Sequence, residues 1–142
     1  MIRVRRTTPD DAAAVADLMG SLGYPTSPEQ MAARLDATSR HADYVSLVAV
    51  NGSRPVGFLA LAFGLFYERD GSYARIVALS VAPDAQRGGV GGALVAEAEQ
   101  IARERGAIVC FVNSGTARTA AHAFYERHGY AHRGKAFYKA LA

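Results

Sequence analysis

The apolar and polar positions of the chain alternate between two periods, and the changes of period mark its elements. Ile2 to Arg6 reads as a short opening strand. Thr8-Pro9-Asp10-Asp11 then opens a helix, with Thr8 as cap, Pro9 at the first helical position and Asp11 reaching back as the capping-box acid. Val15, Leu18, Met19 and Leu22 share one helical face, and Gly23 supplies the stop. Ser27-Pro28-Glu29-Gln30 repeats the start signal. The helix it opens carries mainly Met31 and Leu35, a thin buried stripe suited to the periphery.

Tyr44 to Val50 and Pro55 to Tyr67 are apolar and strand-like, joined by the hairpin residues Asn51-Gly52-Ser53-Arg54. Glu68 to Ser72 forms the next turn, and Tyr73 to Val81 a further strand, with Ile76, Val77, Leu79 and Val81 as its bulk. After Pro83-Asp84 and a glycine-rich loop comes a helix from about Gly89 to Arg105. Its apolar positions Val90, Leu94, Val95, Ala98, Ile101 and Ala102 recur at helical spacing. Ile108 to Val112 is a fully apolar strand. Ala117 to His128 is a helix ended by Gly129, and His132 to Ala140 reads as a last strand. Hairpins early and a strand–loop–helix–strand unit later predict a mixed, mostly antiparallel α/β sheet of six to seven strands, with about four helices on both faces.

Length and composition narrow the class. With 142 residues, 50% of them apolar, the chain suits one domain over residues 1–142 with one core. The longest apolar stretch, Val56 to Tyr67, falls short of the ~20 residues of a membrane helix. No long apolar segment follows the basic start Met1-Ile2-Arg3-Val4-Arg5-Arg6, which argues against a secretory signal. The single cysteine, Cys110, sits in an apolar run and reads as core; it gives neither a disulfide framework nor a zinc set and fits a reducing cytoplasm. His128 and His132 are four apart, but Gly129 breaks the helix between them, so no metal site is expected. The net charge of +3 and pI of about 9.2 come from scattered basic residues. They argue against a nucleic-acid surface and suit an anionic ligand.

The most informative stretch is Gln86-Arg87-Gly88-Gly89-Val90-Gly91-Gly92-Ala93-Leu94, which follows a strand and opens a helix. Glycines here cost helix stability by ~1 kcal/mol each relative to alanine, so something must require them. Close approach of backbone N–H groups to one anion is such a requirement, and the helix N-terminus adds partial positive charge. Arg87 can add a mobile counter-charge, and a pyrophosphate is the expected ligand. No Gly-Lys-Ser/Thr follows, which excludes a Walker A loop. Leu94 stands where a dinucleotide fingerprint needs its third glycine.

Gln86-x-x-Gly89-x-Gly91 instead resembles the coenzyme A loop of the GNAT N-acetyltransferases. A second signature of that family, A-x-x-F-Y-x-x-x-G-F, is matched by Ala121-His122-Ala123-Phe124-Tyr125-Glu126-Arg127-His128-Gly129-Tyr130, with Tyr130 for the usual phenylalanine. The resemblance spans nearly the whole chain. It implies an acyltransferase moving an acetyl group from acetyl-CoA to an amine by direct attack in a ternary complex. It implies a fourth strand splayed from the fifth, with Leu79, Ser80 and Val81 bonding the pantetheine arm and the thioester carbonyl. It further implies pyrophosphate on Gln86, Arg87, Gly88, Gly89, Val90, Gly91 and Gly92, a pantetheine contact from Asn113, and Tyr125 protonating the departing thiolate. A packing role for Tyr125 and a turn-forming role for Asn113 stand beside these.

The sequence departs from the family pattern in two further places. The glutamate that many relatives carry on the fourth strand is missing from Ala74-Arg75-Ile76-Val77-Ala78-Leu79, which leaves Glu68, Asp70, His41 or a water relay as base. Arg118 stands where many relatives have asparagine, and His122 lies close to Tyr125 with no assigned role. The missing carboxylate keeps a second reading open, a non-catalytic acyl-CoA-binding regulatory module. The mild positive charge permits a third, a toxin-like acetyltransferase of charged tRNA. The acceptor cleft is expected between Gly20–Asp43 and Tyr67–Tyr73, with Tyr24, Tyr67 and Tyr73 as candidate walls. The exposed edge strands leave room for a homodimer.

Overall fold

A computed structural model of the protein describes residues 1–113, 119–133 and 136–142. One five-stranded sheet in the order β1-β2-β3-β4-β5 carries the fold. It comprises β1 (Ile2–Arg6), β2 (Tyr44–Asn51), β3 (Arg54–Leu65), β4 (Ser72–Val81) and β5 (Ala107–Val112). The first four strands are antiparallel neighbours, and β5 lies parallel to β4. That single parallel pairing follows from the helical crossover between β4 and β5.

The helices divide between the faces as their apolar stripes require. On one face, α1 (Ala12–Leu22) and α2 (Pro28–Ser39) pack Val15, Leu18, Met19, Met31 and Leu35 on Val48, Val50 and Phe58. On the other, α3 (Val90–Glu104) packs Val90, Leu94, Val95, Ala98 and Ile101 on Leu47, Leu59, Leu61, Ala74 and Ile76. Phe124 of α4 (Thr119–Arg127) joins this second core.

The start signals work as expected. Asp11 accepts from the Thr8 N–H at 2.7 Å and holds Arg5 with two hydrogen bonds of 2.8 and 3.0 Å. Ser27 and Gln30 exchange their capping bonds at 3.0 and 2.9 Å. Gly57 lets α3 descend onto β3, since a Cβ there would stand 2.7 Å from Val90 and 2.9 Å from Leu94.

The expected strand over His132 to Ala140 does not form: its described residues lie outside the sheet, which therefore has five strands rather than six or seven. Phe137, Tyr138 and Leu141 are 93–95% exposed. An apolar run becomes a strand only where another strand's edge takes up its backbone groups, and the described residues of this run pair with no strand.

Candidate active site

The site begins at an irregularity between β3 and β4. Ala60 pairs with Ala78, yet the next residue, Leu61, pairs with Ile76, so Val77 is an extra residue with no partner on β3. A bulge of this kind increases local twist and re-aims the strand beyond it. The β4–β5 pairing runs only from Ser72↔Ala107 to Ile76↔Val112. From Ala78 to Val81, β4 therefore keeps β3 on one side and, among the described residues, has no ladder on the other. Asn113, exposed, follows the last paired residue of β5 and marks the apex where the two strands part.

Leu79, Ser80 and Val81 all lie on this half-paired segment. Leu79 and Val81 turn their side chains into the α3 core. Ser80 is buried, and its hydroxyl donates to the Leu18 carbonyl at 2.7 Å. Each of the three side chains is thus committed to packing, and the backbone is what they bring to the open edge.

The strand hands directly to the glycine loop. A short 3-10 turn, Pro83–Ala85, is pinned to the β2–β3 hairpin by Asp84 and Arg54 at 2.9 Å. Gln86 reaches back to the Val81 carbonyl at 3.4 Å. Arg87 and Gly89 both take left-handed backbone, φ 69° and 82°, with Gly88 between them. The left-handed region costs a non-glycine residue about 1 kcal/mol, so Arg87 holds a strained turn. Gly89 caps α3 without a side chain, and the first helical bond runs from the Ala93 N–H to the Gly89 carbonyl. The N–H groups of Val90, Gly91 and Gly92 precede it and have no acceptor within the helix.

Gly91 and Gly92 answer to a second requirement that the sequence did not reveal. A Cβ on Gly91 would stand 3.0 Å from the Phe124 ring, and one on Gly92 would stand 3.1 Å from the His128 ring. The two glycines admit α4 against the first turn of α3. The same contact brings Tyr125, next to Phe124, to this end of the molecule. Tyr125 is half-buried, with its ring edge-on to Phe124 and Tyr130 at 5.3 and 5.9 Å.

The remaining candidates are more dispersed. Glu68 and Asp70 are exposed in the β3–β4 turn; His41 is exposed beside Tyr44, ring to ring at 5.9 Å. Tyr24 and Tyr67 point to solvent, whereas Tyr73 is half-buried on the sheet. His122 stacks with His132 at 6.4 Å, and no metal-holding cluster occurs among the described residues. Arg118 lies outside the described residues.

One polar cluster went unread in the sequence. The Tyr130 hydroxyl lies 2.8 Å from a Glu99 carboxylate oxygen and 3.2 Å from Cys110 Sγ. A phenol has one hydrogen, so with Glu99 accepting it the thiol is the donor to Tyr130. Burial pushes the Cys110 thiol up, and burial with these two neighbours pushes the Tyr130 phenol up further. Both stay protonated at neutral pH, and the cluster ties the end of α4 to α3 and β5. Its only signal in the sequence was a tyrosine where phenylalanine is usual.

A model of the acetyltransferase (GNAT) family matches residues 12–130, while no curated protein matches the chain. Among solved structures, the chain is similar to a GNAT family acetyltransferase from Staphylococcus aureus, at 26% identity and TM-score 0.85, covering 99% of this chain and 98% of that one. It is similar in fold to a transcriptional regulator from Bacillus halodurans (23% identity, TM-score 0.86, 98% and 100% covered). The same holds for glucosamine-6-phosphate N-acetyltransferase from Arabidopsis thaliana (15% identity, TM-score 0.86, 100% and 99% covered).

Proposed function

The chain belongs to the GNAT acetyltransferase family, and on that premise we propose that it transfers the acetyl group of acetyl-CoA to a primary amine by direct attack. One observation carries this reading. The open edge of β4 from Ala78 to Val81 continues, through the left-handed turn at Arg87 and Gly89, into the uncapped N-terminus of α3. An extended amide-bearing arm with a pyrophosphate at one end matches that track. Its amides take the place of the missing strand, and its phosphates take the N–H groups of Gly89 to Gly92.

In this reading the thioester lies near Val77, at the apex. The neutral amine attacks the carbonyl carbon, and backbone N–H groups of the open edge receive the developing oxyanion. The N–C bond forms, the C–S bond breaks, and its electron pair leaves on sulfur. Tyr125 supplies the proton to that sulfur. The amine proton passes to water, because β4 carries no carboxylate between Ser72 and Val81.

Thermal unfolding with acetyl-CoA, free CoA and ATP tests the cofactor assignment. A rise in midpoint selective for the two CoA species is expected; no shift at millimolar acetyl-CoA overturns it. Binding without transfer to any amine would favour the regulatory acyl-CoA-binding module instead.

A further inference from the structure

Four strands bring four residues into one row. Tyr44 pairs with Ala62, Ala62 with Arg75, and Arg75 with Phe111. Directly paired residues project from the same face of a sheet. Ala74 and Ile76 are buried beneath α3, so Arg75 and Tyr73 project from the opposite face. There α1 and α2 pack on Val48, Val50, Phe58 and Ala82, and the row extends beyond them.

This stretch of sheet has a defined character. Tyr73 is tilted against Phe111 and edge-on to Phe66, each at 5.3 Å. A Cβ at Gly64 would strike the Tyr73 ring, so the ring lies across β3. The Arg69 guanidinium sits 4.4 Å from the Phe66 centroid. Arg75 is exposed and makes no ion pair among the described residues. The acids closest in the chain, Glu68 and Asp70, flank Arg69 in the exposed turn, and neither forms an ion pair among the described residues. The row also adjoins the apex, since Arg75 stands two residues before the Val77 bulge.

We propose that this row is the acceptor subsite and that the acceptor is a small amine bearing a carboxylate or phosphate beside a flat apolar body. The inference rests on the transferase reading above. Arg75 takes the anion, for which its planar fork is suited, and Tyr73 and Phe111 take the apolar body. A polycationic acceptor would meet the Arg75 guanidinium in the row itself, with the carboxylates Glu68 and Asp70 confined to the turn beside it.

Matched amine pairs test this: L-phenylalanine against L-phenylalaninamide, and O-phosphotyramine against tyramine. Binding of each to the CoA-loaded protein is measured by calorimetry, and acetylation by CoA release. The acid member of at least one pair is expected to be favoured by about tenfold or more, in line with one charge-assisted contact, and the favoured pair tells carboxylate from phosphate. Arg75→Gln should abolish that preference, mainly through KM, and Arg75→Lys should restore part of it. Equal binding of acid and neutral members, preference for the neutral ones, no binding of either, or a preference that survives Arg75→Gln overturns the proposal. Selective binding of the acids without acetylation would keep the anion subsite and overturn the transferase reading.

Discussion

The Ser80 hydroxyl donates a 2.7 Å hydrogen bond to the Leu18 carbonyl, 62 residues away in sequence. The bond fastens the open half of β4 to α1. Ser80→Ala removes this buried hydrogen bond, at a cost of about 1 kcal/mol. Urea unfolding should show that loss. The KM for acetyl-CoA should rise as well, because the edge that would receive it is less firmly held; an unchanged midpoint would mean the bond is not holding the strand.

Gly57 and Val90 meet where α3 lands on β3. A Cβ at Gly57 would intrude on Val90 and Leu94 at 2.7 and 2.9 Å, and both side chains are within 2% of full burial. Overpacking of this kind costs about 1–3 kcal/mol. Gly57→Ala should therefore lower the unfolding midpoint despite alanine's smaller loss of backbone entropy. A rise would show that α3 can lift without penalty.

Arg5 and Asp11 should make stability pH-dependent in acid. The hydrogen bond from Arg5 is the largest influence holding the Asp11 carboxyl below its usual range, opposed by burial and aided by the Thr8 N–H. A carboxyl depressed in the folded state stabilises above its unfolded pKa, and that stability is lost as pH falls through the folded value. The wild type should lose stability below about pH 4. Asp11→Asn should flatten that part of the profile and cost about 1–3 kcal/mol at pH 7. A profile of unchanged slope would remove the pair from the account.

Tyr125→Phe should lower kcat by about a hundredfold or more, the range of a lost general acid, with the acetyl-CoA KM nearly held. Full turnover in this variant would end the assignment of Tyr125 as proton donor and leave it a packing residue between Phe124 and Tyr130.

Much of the local geometry around the candidate site was legible because its signals are local. The cap at Thr8–Asp11, the stripe of α3 and the glycine loop each lie within one or two turns of chain, where spacing alone decides the geometry. Gly89 was read as ligand-facing, and its left-handed φ of 82° is a backbone requirement the spacing did not announce. Gly91 and Gly92 were read as ligand-facing only. Their contacts with Phe124 and His128 join residues more than thirty positions apart, and no local pattern carries that information. Cys110 was expected as core filler. It is half-buried and bonded to a tyrosine whose hydroxyl found Glu99 across two elements.

The sequence by itself determined the elements from β1 to α4, the mixed sheet with helices on both faces, and the place of the glycine loop between β4 and α3. These follow from periodicity and from backbone freedom at named glycines, which are properties of neighbouring residues. Only the tertiary structure decided where the β4–β5 ladder ends, that Val77 is the extra residue, and that Tyr44, Arg75 and Phe111 share a row. It also decided that the described residues of the last apolar run lie outside the sheet. Strand register and strand pairing are set by which side chains pack across the sheet and which edges meet, and a chain specifies those only through all its long-range contacts at once.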